Sequence, residues 1–159
     1  MNSLADTPAD LAITGITAPS SIKAGDNVNI SYQIDNVGEF TADGTLNDVI
    51  YLSKDNVWDK NDVMVGVVSG NVSIDPGERM TRSVTGRVTN VSEGDYYVIV
   101  KTNSTKTIAE SKEDNNTAVA ASASRLSFTS INLGSSVVPN TPGAIALTIL
   151  VPSFTYCGI

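Results

Sequence analysis

Apolar residues recur along this chain mostly at every second position. Val28, Ile30, Tyr32 and Ile34 alternate strictly with polar neighbours, which is the period of a strand buried on one face. Leu11–Ile16 opens an earlier strand, and Asp48–Ser53, with four apolar residues in a row, reads as a central one. Val63–Val68 follows, then Met80–Val88, which alternates through Met80, Arg82, Val84, Gly86 and Val88. Tyr96–Lys101 is a strong strand and Thr117–Ala123 a weaker last one. No window carries the 3.6-residue stripe of an amphipathic helix.

Turn chemistry separates these runs: Lys23-Ala24-Gly25-Asp26, Asp43-Gly44, Asp75-Pro76-Gly77-Glu78 and Ser92-Glu93-Gly94-Asp95. Glycine supplies positive φ, proline presets φ, and Asp caps its own turn. About seven short strands with no helix predict an all-β, immunoglobulin-like antiparallel β-sandwich. A second pattern lies beyond it. The apolar positions Leu11, Ile13 and Ile16 recur at a constant offset as Leu126, Phe128 and Ile131, and Ile145, Leu147 and Ile149 then alternate. The expected organisation is a leader over 1–8, a sandwich over 9–124, and the incomplete start of a second similar module over 125–159.

Composition narrows the chemistry. The chain has 159 residues, ten Lys+Arg against seventeen Asp+Glu, and a net charge of −7. An acidic chain offers no electrostatic footing to nucleic acid. Histidine is absent, which removes Ser-His-Asp and Cys-His pairs and every imidazole metal ligand. The single cysteine, Cys157, permits no intrachain disulfide. The apolar run 143–159 is broken by Pro152 and falls short of the roughly 20 residues a bilayer span needs, so no membrane insertion is expected.

Several pieces then fit one family in order. They are Ala9-Asp10-Leu11, Lys23-Ala24-Gly25-Asp26, Tyr32-Gln33-Ile34-Asp35-Asn36-Val37-Gly38 and Tyr51-Leu52-Ser53-Lys54-Asp55-Asn56. Asp62, Gly66, Ile74-Asp75-Pro76-Gly77-Glu78, Gly94-Asp95-Tyr96-Tyr97 and Glu110-Ser111-Lys112-Glu113-Asp114-Asn115-Asn116 complete the set. Together, over about 9–123, they resemble the CARDB module, the cell-adhesion-related domain of bacteria and archaea. The resemblance implies an immunoglobulin-like sandwich in a secreted or cell-surface protein, in tandem with other domains of the same chain and without catalysis. Where immunoglobulin domains bury a Trp beside a disulfide, the only tryptophan here, Trp58, falls in a loop. Apolar packing alone is therefore expected to hold the core.

Two acidic clusters carry the candidate chemistry. Asp55, Asn56, Asp59, Asn61 and Asp62 supply hard oxygen donors suited to calcium, without EF-hand spacing. The alternative is a solvated turn whose side chains cap their own backbone. Glu110–Asn116 should lie at the opposite end of the sandwich, with Asn115 and Asn116 bonding backbone groups at the entry to the last strand. All seventeen acids are read in turns or at strand ends, which leaves no glycosidase pair across a cleft. Tyr96 and Tyr97 predict a tyrosine corner. The expected function is a non-catalytic, extracellular adhesion or spacer module whose partners are neighbouring domains, a surface glycan or a protein. The rival is a carbohydrate-binding module, which would need Trp58, Phe40 and Tyr96 or Tyr97 exposed in a row.

Overall fold

The computed structural model describes residues 8–128. Its strands are β1 (Leu11–Thr17), β2 (Ser21–Lys23), β3 (Asn27–Asn36), β4 (Ala42–Ser53), β5 (Val63–Ile74), β6 (Arg79–Arg87), β7 (Gly94–Lys101), β8 (Thr117–Val119) and β9 (Ser124–Ser127). One sheet has the order β1-β3-β6. The other runs β2-β9-β7-β4-β5, with β8 also paired to β7. β1 and β2 are two parts of one strand that changes sheets, and β8 and β9 both lie along the same flank of β7. Nine elements thus fill the seven strand positions of an immunoglobulin-like sandwich.

The alternation in β3 places its side chains as expected: Val28, Ile30, Tyr32 and Ile34 are all buried. From the facing sheet come Leu46, Ile50, Leu52, Val98 and Val100. Two predicted strands prove much longer. β4 begins at Ala42, so Asp43-Gly44 is not a turn but part of a hairpin in which Asp43 pairs with Ser73 and Gly44 with Val72. The local propensity of this stretch is poor for a strand. Its inward positions Ala42, Leu46, Val72 and Ile74 are all buried, and that packing overrides propensity.

The far boundary also moves. Ser124–Ser127 pairs antiparallel with β7 and parallel with β2, and Leu126 is 1% exposed in the core. The sandwich therefore runs past the break expected after 124. The remainder of the proposed second module, and the proposed leader except Pro8, lie outside the described residues.

Apolar packing is not alone in holding the core. Asp48, in the middle of β4 and fully buried, accepts a hydrogen bond from the Tyr32 hydroxyl at 2.8 Å and one from Arg82 Nη1 at 2.7 Å, both on Oδ2. Its Oδ1 accepts from Thr102 Oγ1 at 2.6 Å. Tyr32 and Arg82 are cross-strand partners on β3 and β6, so this cluster ties one sheet to the other. Burial, with the Asp48 carboxylate second, pushes the Tyr32 phenol far above its ordinary range. The expectation that every acid sits at a turn or strand end fails here. Arg82, on the inward stripe of β6, supplies the counter-charge that makes a buried carboxylate tolerable.

Removing the carboxylate should leave Arg82 buried without its partner. Asp48→Asn is expected to cost about 3–5 kcal/mol of unfolding free energy in urea, against roughly 1–2 kcal/mol for Tyr32→Phe. A loss under about 1 kcal/mol for Asp48→Asn would contradict the assignment.

Candidate functional site

The sandwich has two poles. β1 starts beside the end of β3, where Leu11 pairs with Asn36, and Ala9 bridges to Glu110. β9 ends beside Lys23 and Ala24, with the Ala24 N–H donating to Ser127 O at 2.9 Å. The described chain thus enters at one pole and leaves at the other.

The acidic loop 54–62 joins β4 to β5 at the exit pole. Its carboxylates are engaged with their own backbone. Asp55 Oδ1 accepts the Val57 N–H at 2.9 Å, Asp59 Oδ1 the Asn61 N–H at 2.6 Å, and Asp62 Oδ2 the Asp59 N–H at 2.9 Å. Side-chain caps of this kind are what Asp and Asn supply in turns. Asp55, Asp59, Asn61 and Asp62 nevertheless line one open hollow, faced by Ser92 and Tyr96; Asn56 is exposed and off it. Among the described residues no three acidic or thiol side chains converge as a metal-holding group.

Trp58 folds back from this loop over the outer face of the larger sheet. It meets Tyr51 edge-on at 5.9 Å between centroids, and Lys101 Nζ stands 3.5 Å from its ring centre. A cation over the indole face is an attractive contact, and it occupies the surface a sugar would stack on. Phe40 lies at the entry pole, between β3 and β4, while Tyr96 is buried. Phe40 is thus set apart from Trp58, and Tyr97, paired with Ser53 on β4, is partly exposed. Tyr96 makes the expected corner instead: its hydroxyl donates to Ser92 O at 3.0 Å. Lys54 Nζ sits 4.1 Å from its ring centre.

The second cluster lies at the entry pole, as its position in the chain predicts. Its bonding differs from expectation. Asn115 Nδ2 donates to Asp10 Oδ1 at 2.5 Å and Asn116 Nδ2 to Glu110 Oε1 at 2.7 Å, so these side chains bond carboxylates rather than backbone. Glu110 Oε1 also accepts from Asn103 Nδ2 at 2.5 Å, and Oε2 takes the Leu11 N–H at 2.6 Å. One carboxylate therefore fastens β1 to the long loop after β7. Beside it the fully buried Asn36 accepts the Asp10 and Gly38 N–H groups and donates to Phe40 O and Ile74 O. A Cβ on Gly38 would stand 2.6 Å from Asp10 N, so only glycine allows this approach. The roles of Asp10 and Asn36 are missing from a residue-type reading, because they arise where distant segments meet. The one hint is that Asp10 directly precedes the apolar run of β1.

Burial raises the Glu110 carboxyl above its usual range, the three hydrogen bonds pull the other way, and the nearby Asp10 adds to the rise. Between the ordinary pKa and the raised one, the folded state holds a proton that the unfolded chain releases. Stability from this group is therefore greatest at acid pH, falls as pH climbs through the raised pKa, and is level above it. In chelator, the stability of the wild type relative to Glu110→Gln should decline as pH climbs from the ordinary glutamate pKa of 4.5 through the raised one. A pH-independent difference in urea midpoints would refute this.

No curated protein sequence matches the chain. Solved structures do share its fold. The CARDB domain of the PF1109 protein of Pyrococcus furiosus, solved in complex with di-metal ions, has a TM-score of 0.55 at 17% identity, covering 77% of this chain and 97% of that one. The 272–376 domain of a Methanosarcina acetivorans protein, provisionally named a cell surface protein, has a TM-score of 0.53 at 18% identity, covering 74% and 92%. The sequence profile of the CARDB family, a non-catalytic domain family associated with cell surfaces in bacteria and archaea, matches residues 8–120. By that match, the chain belongs to the CARDB family.

Proposed function

We propose that this domain is a non-catalytic spacer and adhesion module in an extracellular or surface-anchored protein, and that its working partners are the neighbouring domains of its own chain. The observation that carries this reading is the placement of entry and exit at opposite poles. β3, ten residues long, sets the distance between them at about 33 Å. A string of such units extends a chain by a fixed step, where a domain with adjacent termini would hang off it as a side branch. The Asp48 cluster supports the same reading, because it couples the sheet that begins the domain to the sheet that ends it.

The same reading keeps a calcium ion for the 55–62 loop, where four of the five candidate donors share one hollow. It also draws on the di-metal complex of the Pyrococcus furiosus domain. An ion there would stiffen the exit pole next to the point where Phe128 N–H meets Glu93 Oε1 at 3.1 Å.

Pulling single molecules of the full chain by its two ends tests the module. Residues 8–128 should release in one cooperative step that lengthens the chain by roughly 370 Å, at a force lowered by Asp48→Asn. Gradual extension at low force, or indifference to Asp48→Asn, would contradict a force-transmitting role. For the loop, a site held at 100 times its Kd raises stability by about 2.7 kcal/mol. Binding at this loop should then contribute roughly 10 °C to the rise in melting temperature with calcium, and Asp59→Asn should lose that share.

A further inference from the structure

At the entry pole, two side-chain oxygens are buried with nothing to bond: Asn115 Oδ1 and Asn116 Oδ1. Asn116 itself is 7% exposed. A buried acceptor without a donor is costly, so native structures fill such a position with water or an ion. Turning either amide over is no remedy. It would set an amide oxygen against the Asp10 or Glu110 carboxylate, where each Nδ2 now donates. The orphaned oxygens are therefore fixed as oxygens. Because an amide's nitrogen and oxygen are only about 2.2 Å apart, each orphan lies within roughly 5 Å of the carboxylate oxygen its own nitrogen bonds.

The charges point the same way. Asp10 is 5% exposed and Glu110 is half-buried, and the two lie close enough for Asp10 to add to the rise of the Glu110 carboxyl. No lysine or arginine among the described residues forms an ion pair with either one. Lys106, in the same loop, is paired with Glu113. Two carboxylates without a counter-ion, next to two amide oxygens without a donor, make an all-oxygen donor set of net charge −2. That set suits a hard divalent cation that tolerates irregular geometry, and calcium fits this better than magnesium, which demands a near-ideal octahedron.

We infer that Asp10, Glu110, Asn115 and Asn116 form a calcium site at the entry pole, separate from the 55–62 loop and independent of the spacer reading. The site would join the first residues of the domain to the segment before its last strand, segments some hundred residues apart in sequence. At the 55–62 loop the carboxylates are already occupied by backbone N–H groups. Here the carboxylates accept hydrogen bonds too, but the two buried amide oxygens beside them have no donor, which is what distinguishes this cluster from a capped turn.

The test uses the full chain, stripped with chelator and titrated with calcium chloride. Two readouts are followed: the melting temperature, and the side-chain NH₂ signals of Asn115 and Asn116 in ¹⁵N-resolved NMR spectra. The expected result is a rise of roughly 5–10 °C together with displacement of both NH₂ signals. The NH₂ displacement and this site's share of the rise should persist in Asp59→Asn and vanish in Asp10→Asn. Unmoved NH₂ signals in the wild type at millimolar calcium would overturn the site and assign the two oxygens to buried water. That readout needs no variant and stands even if Asp10→Asn fails to fold. A thermal shift that survives in Asp10→Asn but disappears in Asp59→Asn would overturn it equally, and would place the ion at the exit pole.

Discussion

The two sheets of this domain depend on one buried carboxylate. Asp48 brings a carboxylate into an interior made mostly of Val, Ile and Leu, and three segments converge to bond it. Such a group adds little net stability compared with a well-packed apolar replacement. What it adds is registration. Arg82, Tyr32 and Thr102 meet one carboxylate only when β3, β6 and the end of β7 sit at the correct height against β4. Apolar side chains tolerate sliding by a residue pair far better than a two-oxygen acceptor does. Where many immunoglobulin-like domains cross-link their sheets with a disulfide, the link here is ionic and is therefore independent of redox conditions.

The fold was legible in the sequence because its period is. Strict alternation in β3 gave the buried face correctly, and the Asp75-Pro76-Gly77-Glu78 and Lys23-Ala24-Gly25-Asp26 turns form as their residues dictate, with Gly77 and Gly25 at positive φ. What escaped was set by partners rather than by local pattern. The first half of β4 and the second half of β5 pair only because their sparse apolar residues face a common core. β9 looked like the beginning of something new because Leu126 echoes Leu11, yet its core position and its pairing with β2 and β7 place it in this sandwich.

Site residues divide along the same line. The 55–62 loop was visible as a run of donors in sequence, and its geometry shows how such a run can satisfy itself by capping. The entry-pole cluster was half visible, as Glu110–Asn116, but its other half is Asp10, a hundred residues away. Arg82 carried a signal that alternation exposes: a charged residue on an otherwise inward stripe asks for a buried partner of opposite sign. A search for that partner would have led to Asp48, the acid that opens the predicted strand Asp48–Ser53.

The parallel pairing of β2 with β9 has a mechanical corollary. Tension applied through the two ends of the domain draws β2 toward the entry pole and β9 toward the exit pole, so the strands are asked to slide past each other rather than peel apart. Their hydrogen bonds then share the load simultaneously and have to fail together, whereas a hairpin opened from its free end surrenders its bonds singly. Three paired positions, Ser21 with Arg125, Ile22 with Leu126 and Lys23 with Ser127, form the seam on which that resistance falls. A short ladder of this kind works as a latch: brief in sequence, yet oriented so that its strength is collective.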